Sequence, residues 1–432
     1  MSSIFHADEL TRRQFVSNAA RAYLGVHLFP MLGSTLASAA PANAAAAAKA
    51  KHVIYLFMSG GMSHVDTFDP KPKKKEVMGK TEAIATNVDG IMLGNYLPNT
   101  AKVMDKMCVI NSMNSTQGAH EQGAYIMHTS YDMRGTIKHP SLGSWVVKIG
   151  GRIHPELPGF VAVNSAPDHA GAGFFGAKYA AALIGSPDDG LQDSHRAGGV
   201  SPEDFERRLS LADKLNRQFH SRFANTDVQA YEELYREAIS LMNSKDLKAF
   251  DLKQESESTR KLYGPGRFAQ GCLLARRLVE NGVRFVEVQL GGWDTHYDNF
   301  TGVEGRCKEF DQAYAALLTD LEKCGKLKDT LVVVSTEFGR TPEINAEHQN
   351  GRDHHPTAFS CVLAGGGIKG GMAHGLTDAS GDRVKEGKVT VQDFNATIAQ
   401  ALGLPWDTAL MSPTKRPFKI ADKGTPVATL FA

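Results

Sequence analysis

Asp294, His296, Glu337, Asp353, His354 and His355 carry donors for a hard or borderline cation. They offer carboxylate oxygens and imidazole nitrogens with no thiolate among them, a set that suits one or two divalent ions of zinc, manganese, magnesium or calcium. A second group is Ser59-Gly60-Gly61-Met62-Ser63-His64-Val65-Asp66. Its paired glycines allow a tight turn and a close backbone approach, and they bring Ser63, His64 and Asp66 toward one place. His120 stands at the start of a predicted helix, as a ligand, a base or a capping neighbour.

The elements that must position these groups are legible from hydrophobic pattern. Arg284–Leu290 and Thr330–Ser335 are short β-branched runs that end beside the acidic and imidazole residues. Between them Gly305–Lys326 has Phe310, Tyr314, Leu317, Leu318 and Leu321 at helical spacing. A strand, helix, strand unit has parallel strands, so both runs deliver their polar residues to one carboxyl edge. His52–Met58 lacks alternation and reads as a first strand buried on both faces. Met107–Met113 is a second strand, followed by a loop and the helix from His120. A further strand spans Ala358–Ala364, and a last helix spans Val391–Leu402 with Gly403 as its stop.

Residues 150–200, rich in Gly, Pro, Ala and Asp, read as long loops over the site with one strand piece at Phe160–Val163. Gly171-Ala-Gly-Phe-Phe-Gly has the wrong spacing for a dinucleotide fingerprint, which leaves nicotinamide binding unsupported. A helical insertion is expected over about 201–280, with Ser201-Pro202 as its start. Leu209, Leu211 and Leu215, then Tyr231, Leu234, Ala238 and Leu241, are expected to pack into the core.

The chain has 432 residues, 42% of them hydrophobic, enough for a large core. Its 48 basic and 47 acidic residues give a formal charge of +1, so bulk charge does not drive binding to nucleic acid or membrane surfaces. Five scattered cysteines make a disulfide framework improbable. Thr11-Arg12-Arg13-Gln14-Phe15-Val16, an apolar run to Leu36 and small-residue sites near Ala39 and Ala44 form a twin-arginine export signal over residues 1–44. The expected mature chain, 45–432, is one α/β domain without a stable membrane span, periplasmic or secreted, carried out folded by the twin-arginine machinery.

The order of strand, Asp294-x-His296, crossover helix, Thr-Leu-Val-Val-Val strand, acid plus Gly, and His before another strand resembles the alkaline phosphatase and arylsulfatase superfamily. More narrowly, Ser-Gly-Gly-x-Ser-His-x-Asp-Thr-Phe-Asp-Pro-Lys-Pro, Gly-Gly-Trp-Asp-Thr-His and Glu-Phe-Gly-Arg-Thr-Pro resemble the bacterial domain-of-unknown-function 1501 family from about residue 51 to the end. The resemblance implies an alkaline-phosphatase-like three-layer α/β sandwich, its mostly parallel central sheet covered by helices on both faces, acting on a small anionic phosphate or sulfate ester. It implies one ion on Asp294, His296 and His354 or His355; the candidates for a second are Glu337 and Asp66 with His64 or His120.

Ser63 is the side chain to test as nucleophile, with Arg340 or Arg352 to clamp the ester. Two departures stand out. Glu337-Phe338 replaces the superfamily's Asp-His pair, and His120 or its neighbours Ser115 and Thr116 replace its nucleophile. The rival expectation is a non-catalytic binding or envelope-assembly protein that keeps the fold and a structural metal.

Overall fold

The computed structural model describes residues 49–165, 169–191, 194, 199–222 and 238–432. The expected export signal over 1–44, and Tyr231 and Leu234 of the expected insertion, lie outside them. The central strands are β1 (His52–Met58), β2 (Met107–Asn114), β3 (Phe160–Val163), β4 (Ala182–Ile184), β5 (Phe285–Leu290), β6 (Thr330–Ser335), β7 (Phe359–Gly365), β8 (Met372–His374) and β9 (Val389–Thr390). They form one sheet in the order β8-β2-β7-β6-β1-β5-β3-β4, with β9 also beside β2. Every pairing is parallel except those of β7, which runs against both β6 and β2.

The longer helices described are α1 (His120–Thr129), α2 (Leu142–Gly150), α3 (Pro202–Arg222), α4 (Arg267–Glu280), α5 (Asn299–Lys323) and α6 (Val391–Ala401). Alternate residues of β1 serve opposite faces of the sheet, as the two-residue period of a strand requires. Ile54, Leu56 and Met58 pack with Cys272 and Leu273 of α4 and with Phe310 and Leu317 of α5. Val53, Tyr55 and Phe57 pack with Ile126 of α1, Trp145 of α2 and Phe394 of α6. The architecture is therefore three-layered, with the sheet in the middle, and β1 is buried along its whole length.

Register brings the chemistry to one edge. Met58 pairs with Leu290 and Phe57 with Ser335, so β1, β5 and β6 end level and release Ser59, Gly291 and Thr336 side by side. Because β7 is reversed, its leading residues His354 to Pro356 start from that same edge. There His354–His355 forms a short antiparallel ribbon with Gly339–Arg340.

The insertion differs from expectation. None of residues 201–218 is buried, and Leu211 and Leu215 of α3 are 59% and 57% exposed. Helical spacing of leucines shows that a helix has an apolar face, but not what covers it.

Candidate metal centre

Gly60 and Gly61, at φ +117° and +81°, hold the turn after β1 against the loop after β5. A Cβ on Gly60 would stand 2.5 Å from the Asp294 backbone nitrogen, so only glycine permits this approach. The Gly60 N–H donates to Glu337 Oε1 (2.8 Å) and the Met62 N–H to Thr336 Oγ1 (2.9 Å), joining the ends of β1 and β6.

Asp294 sits at the centre of the edge. His296 Nε2 lies 3.3 Å and His354 Nε2 3.7 Å from its Oδ1, and His120 Nε2 lies 3.4 Å from its Oδ2. His296 and His354 face each other, Nε2 to Nε2, at 2.9 Å. The ligand atoms of His120, Asp294 and His354 all lie within 4.8 Å of one another. His120 arrives from the start of α1, His354 from the ribbon before β7 and the Asp294–His296 pair from the loop after β5. Three separate parts of the fold thus supply one cluster.

The far nitrogen of each imidazole is fixed by an acceptor. His120 Nδ1–H donates to Glu337 Oε1 (2.8 Å), His296 Nδ1–H to Asp353 Oδ1 (2.8 Å) and His354 Nδ1–H to the Gly118 carbonyl (2.7 Å). A neutral imidazole with its hydrogen on Nδ1 has its lone pair on Nε2, so three lone pairs converge on Asp294. Carboxylate or carbonyl partners behind histidine are the usual support of metal ligands. His120 Nε2 is buried with no hydrogen-bond partner, an unmet demand that a cation would satisfy.

Charge points the same way. Asp294, Glu337 and Asp353 against Arg340, three carboxylates and one guanidinium, leave two negative charges for a divalent ion to neutralise. The hydrogen bond to Glu337 raises the His120 pKa, whereas burial and the Arg340 charge lower that of His354. Burial pushes the Asp294 carboxyl up, but the hydrogen bond and charge of Arg340 outweigh it and hold the group below its usual value. The residues present fit a metal, and the preponderance of imidazole suits zinc better than magnesium or calcium.

The other expected residues are placed elsewhere. Ser63 is 1% exposed and donates its hydroxyl hydrogen to Asp66 Oδ2 (2.5 Å). Asp66, fully buried, also accepts from Thr81, Asn299 and Arg352, whose Nε lies 2.8 Å from Oδ2. With its acceptor sites filled by these donors and Arg352 as its counter-charge, Asp66 is a structural anchor away from the cluster, as is Arg352. His64 and His355 stack on each other and turn toward the carbonyls of Gly381 and Asp382. Burial and the neighbouring His355 lower the His64 pKa to about 3.

Arg340 is wholly buried and donates to the carbonyls of Gly60, Gly61 and Arg352 as well as to Asp294 (Nη2–Oδ1 2.5 Å). It holds Asp294 in place and has no face toward the cavity. Asp353 and Glu337 brace His296 and His120 from behind.

A cavity of about 460 Å³ opens at this cluster, lined by His120, Asp294 and Glu337 at one end. Sequence reasoning missed its inner residues His128, His169 and Glu287. The available signal was a lone acid within the apolar run of β5 and the spacing of four that sets His120, Ala124 and His128 on one helix face.

Glu337 offers a direct test of this layout. Glu337→Gln can still accept from Gly60 and His120 but carries no charge, so the fold should persist while metal affinity or turnover falls about 10- to 100-fold. A far larger fall, with the metal lost outright, would make Glu337 a ligand itself; titration with zinc and steady-state rates decide.

No curated protein matches the sequence. Among solved structures, the PsFucS1 sulfatase from Pseudoalteromonas sp. is similar at 13% identity, covering 90% of this chain and 73% of its own, with a TM-score of 0.41. The C-terminal periplasmic domain of EcEptC from Escherichia coli, in complex with Zn, is similar at 10% identity, 87% and 88% coverage and TM-score 0.39. Alkaline phosphatase from the Antarctic bacterium TAB5 is similar at 13% identity, 75% and 95% coverage and TM-score 0.32. A family model described as "Protein of unknown function (DUF1501)" matches residues 50–431, and the chain belongs to that family.

Proposed function

We propose that this chain is an exported, metal-dependent hydrolase of phosphate or sulfate monoesters that uses water as the attacking group. The observation that carries the reading is the convergence of three imidazole Nε2 atoms on Asp294 at the mouth of a cavity, each ring braced from behind. A divalent ion held there would supply Lewis-acid chemistry, neutralising an anionic ester and lowering the pKa of water.

Asp294, His120, His296 and His354 would hold it. Glu337 and Asp353 keep the rings in the correct tautomer, and Arg340 keeps Asp294 ionised and oriented. With no guanidinium on the cavity wall among the described residues, the anion would be attracted only once the cation is in place.

Ser63 is committed to Asp66, and Tyr125 Oη is bonded to His139. That leaves Ser59 as the remaining serine or threonine along the described cavity lining. Ser59→Ala should therefore retain most of the wild-type rate; a loss of several orders of magnitude would replace water by a serine nucleophile.

One observation favours a second reading, a closed structural site: four protein donors are present, enough to fill a tetrahedral shell. Asp294 is 48% and His296 33% exposed at the side chain, which supports an accessible position instead. Turnover of 4-nitrophenyl phosphate and 4-nitrophenyl sulfate with zinc or manganese supplied tests the choice. Activity that disappears on chelation and returns with metal supports the hydrolase, and no turnover with metal bound supports the structural site.

Export is proposed from Arg12 and Arg13 ahead of the apolar run. Arg12→Lys with Arg13→Lys should leave an uncleaved precursor in the cytoplasm, read by fractionation and N-terminal sequencing. Normal export of that variant would overturn the twin-arginine assignment.

A further inference from the structure

The cavity that starts at His120 continues along one face of α1, past Ala124 to His128. Eight residues of helix rise put its two ends on the order of 12 Å apart. At the inner end Glu287, 2% exposed, projects from the middle of β5, where its neighbours Phe285, Val286 and Val288 are apolar and buried. His128 Nε2 lies 3.1 Å from its Oε1 and His169 Nε2 3.1 Å from its Oε2. A carboxylate and two imidazoles are costly at a position where leucine would pack.

The hydrogen bonds determine where the protons are. His128 Nδ1–H donates to the Ala124 carbonyl (2.7 Å) while Nε2 faces a carboxylate; burial lowers its pKa, but the charge and hydrogen bond of Glu287 outweigh this and raise it, which favours the imidazolium. His169 Nδ1 accepts from the Gly171 N–H (3.1 Å). Its hydrogen is therefore on Nε2, donated to Glu287, with no lone pair there for a metal. These three donors also lie within 4.8 Å of one another, but His169 Nε2 carries hydrogen and has no lone pair to offer, which leaves only Glu287 and His128 of the three with one.

The cluster is charge-balanced, one carboxylate against one imidazolium. Its remaining capacity is the second lone pair on each Glu287 oxygen, beside the apolar surfaces of Phe57, Ala124 and Met133.

We propose that this inner end is a subsite for a hydroxyl group of the substrate's alcohol portion, donated to Glu287, with carbon–hydrogen faces against Phe57 and Met133. Resting on the hydrolase reading, this names the substrate class as monoesters of polyols or sugars bearing a free hydroxyl on the order of 12 Å from the ester. A neutral cluster suits a hydroxyl better than an ammonium group, which would seek net negative charge.

The test is a ruler: ω-hydroxyalkyl phosphates and sulfates of increasing length against the plain alkyl esters, on zinc-loaded full-length mature protein. Binding is read by calorimetry and turnover by product release. The terminal hydroxyl should improve affinity or kcat/KM by about 10- to 100-fold at the spanning length and not at shorter ones, as for a hydrogen bond to a charged group. Glu287→Gln should abolish that gain at the spanning length while the zinc content of the folded protein stays at the wild-type ratio.

Turnover with no hydroxyl effect at any length in the wild type overturns the subsite and leaves the hydrolase reading standing, whether or not the variant folds. Hydroxyl-dependent binding without turnover supports the subsite and overturns the hydrolase. Neither binding nor turnover overturns both.

Discussion

His354→Ala is expected to reduce bound zinc from about one ion per chain to a small fraction and to lower ester hydrolysis by well over a hundredfold, beyond the ~10- to 100-fold range of an outer partner. His354 is a cleaner choice than Asp294, because Asp294 is also the partner of buried Arg340 (2.5 Å) and its removal would strand that guanidinium. The variant should also lose the metal-dependent part of stability. At free zinc about a thousandfold above Kd, binding adds about 4 kcal/mol to the native state. The wild type should therefore melt at a clearly higher temperature with zinc than without, and His354→Ala should melt at the same temperature in both. A zinc-dependent shift of wild-type size in the variant would mean that the ion sits elsewhere.

Asp66→Ala is expected to cost about 3–5 kcal/mol of folding stability, the range for breaking a buried ion pair by removing one partner. The reason is the number of groups it orphans. Arg352, fully buried, loses its counter-ion, while Ser63, Thr81 and Asn299 lose their acceptor. The protein that remains folded should still bind zinc with wild-type stoichiometry. Adding Arg352→Met should recover part of the loss, since replacing a whole buried pair by apolar groups is far less costly than halving it. Chemical denaturation of the three variants measures this, and loss of zinc from folded Asp66→Ala would return Asp66 to the metal site.

The contrast between Asp294 and Asp66 shows what was legible in the sequence. Strand edges were legible because buried strands are apolar runs with abrupt polar ends. β1, β5 and β6 and the crossover α5 follow from that, as does the arrival of Asp294, His296, Glu337 and His354 at one edge. Side-chain direction within a loop was not legible. Ser63, His64 and Asp66 come off the same edge, yet the Gly60–Gly61 turn sends them into a buried network with Arg352 and with the 381–382 loop, a partnership more than 270 residues distant in sequence.

His354 and His355 illustrate the same limit on a finer scale. Adjacent residues in a short ribbon point to opposite sides, so one joins Asp294 and the other stacks on His64. A pair of histidines in sequence does not say which one faces the site.

Glu287 was hidden for another reason. The lone acid in the apolar run of β5 did not show what it faces, because its partners His128 and His169 come from a helix and a loop remote in sequence. The exposed leucines of α3 show the converse, with a helical apolar stripe that meets no core among the described residues.

The most direct measurement is anomalous diffraction at the zinc edge from crystals of the zinc-loaded protein. One strong peak is expected about 2.0–2.2 Å from Asp294 and from the Nε2 atoms of His354 and at least one of His120 and His296. No peak there, or a peak at His64 and Asp66 or between His128, His169 and Glu287, would contradict it.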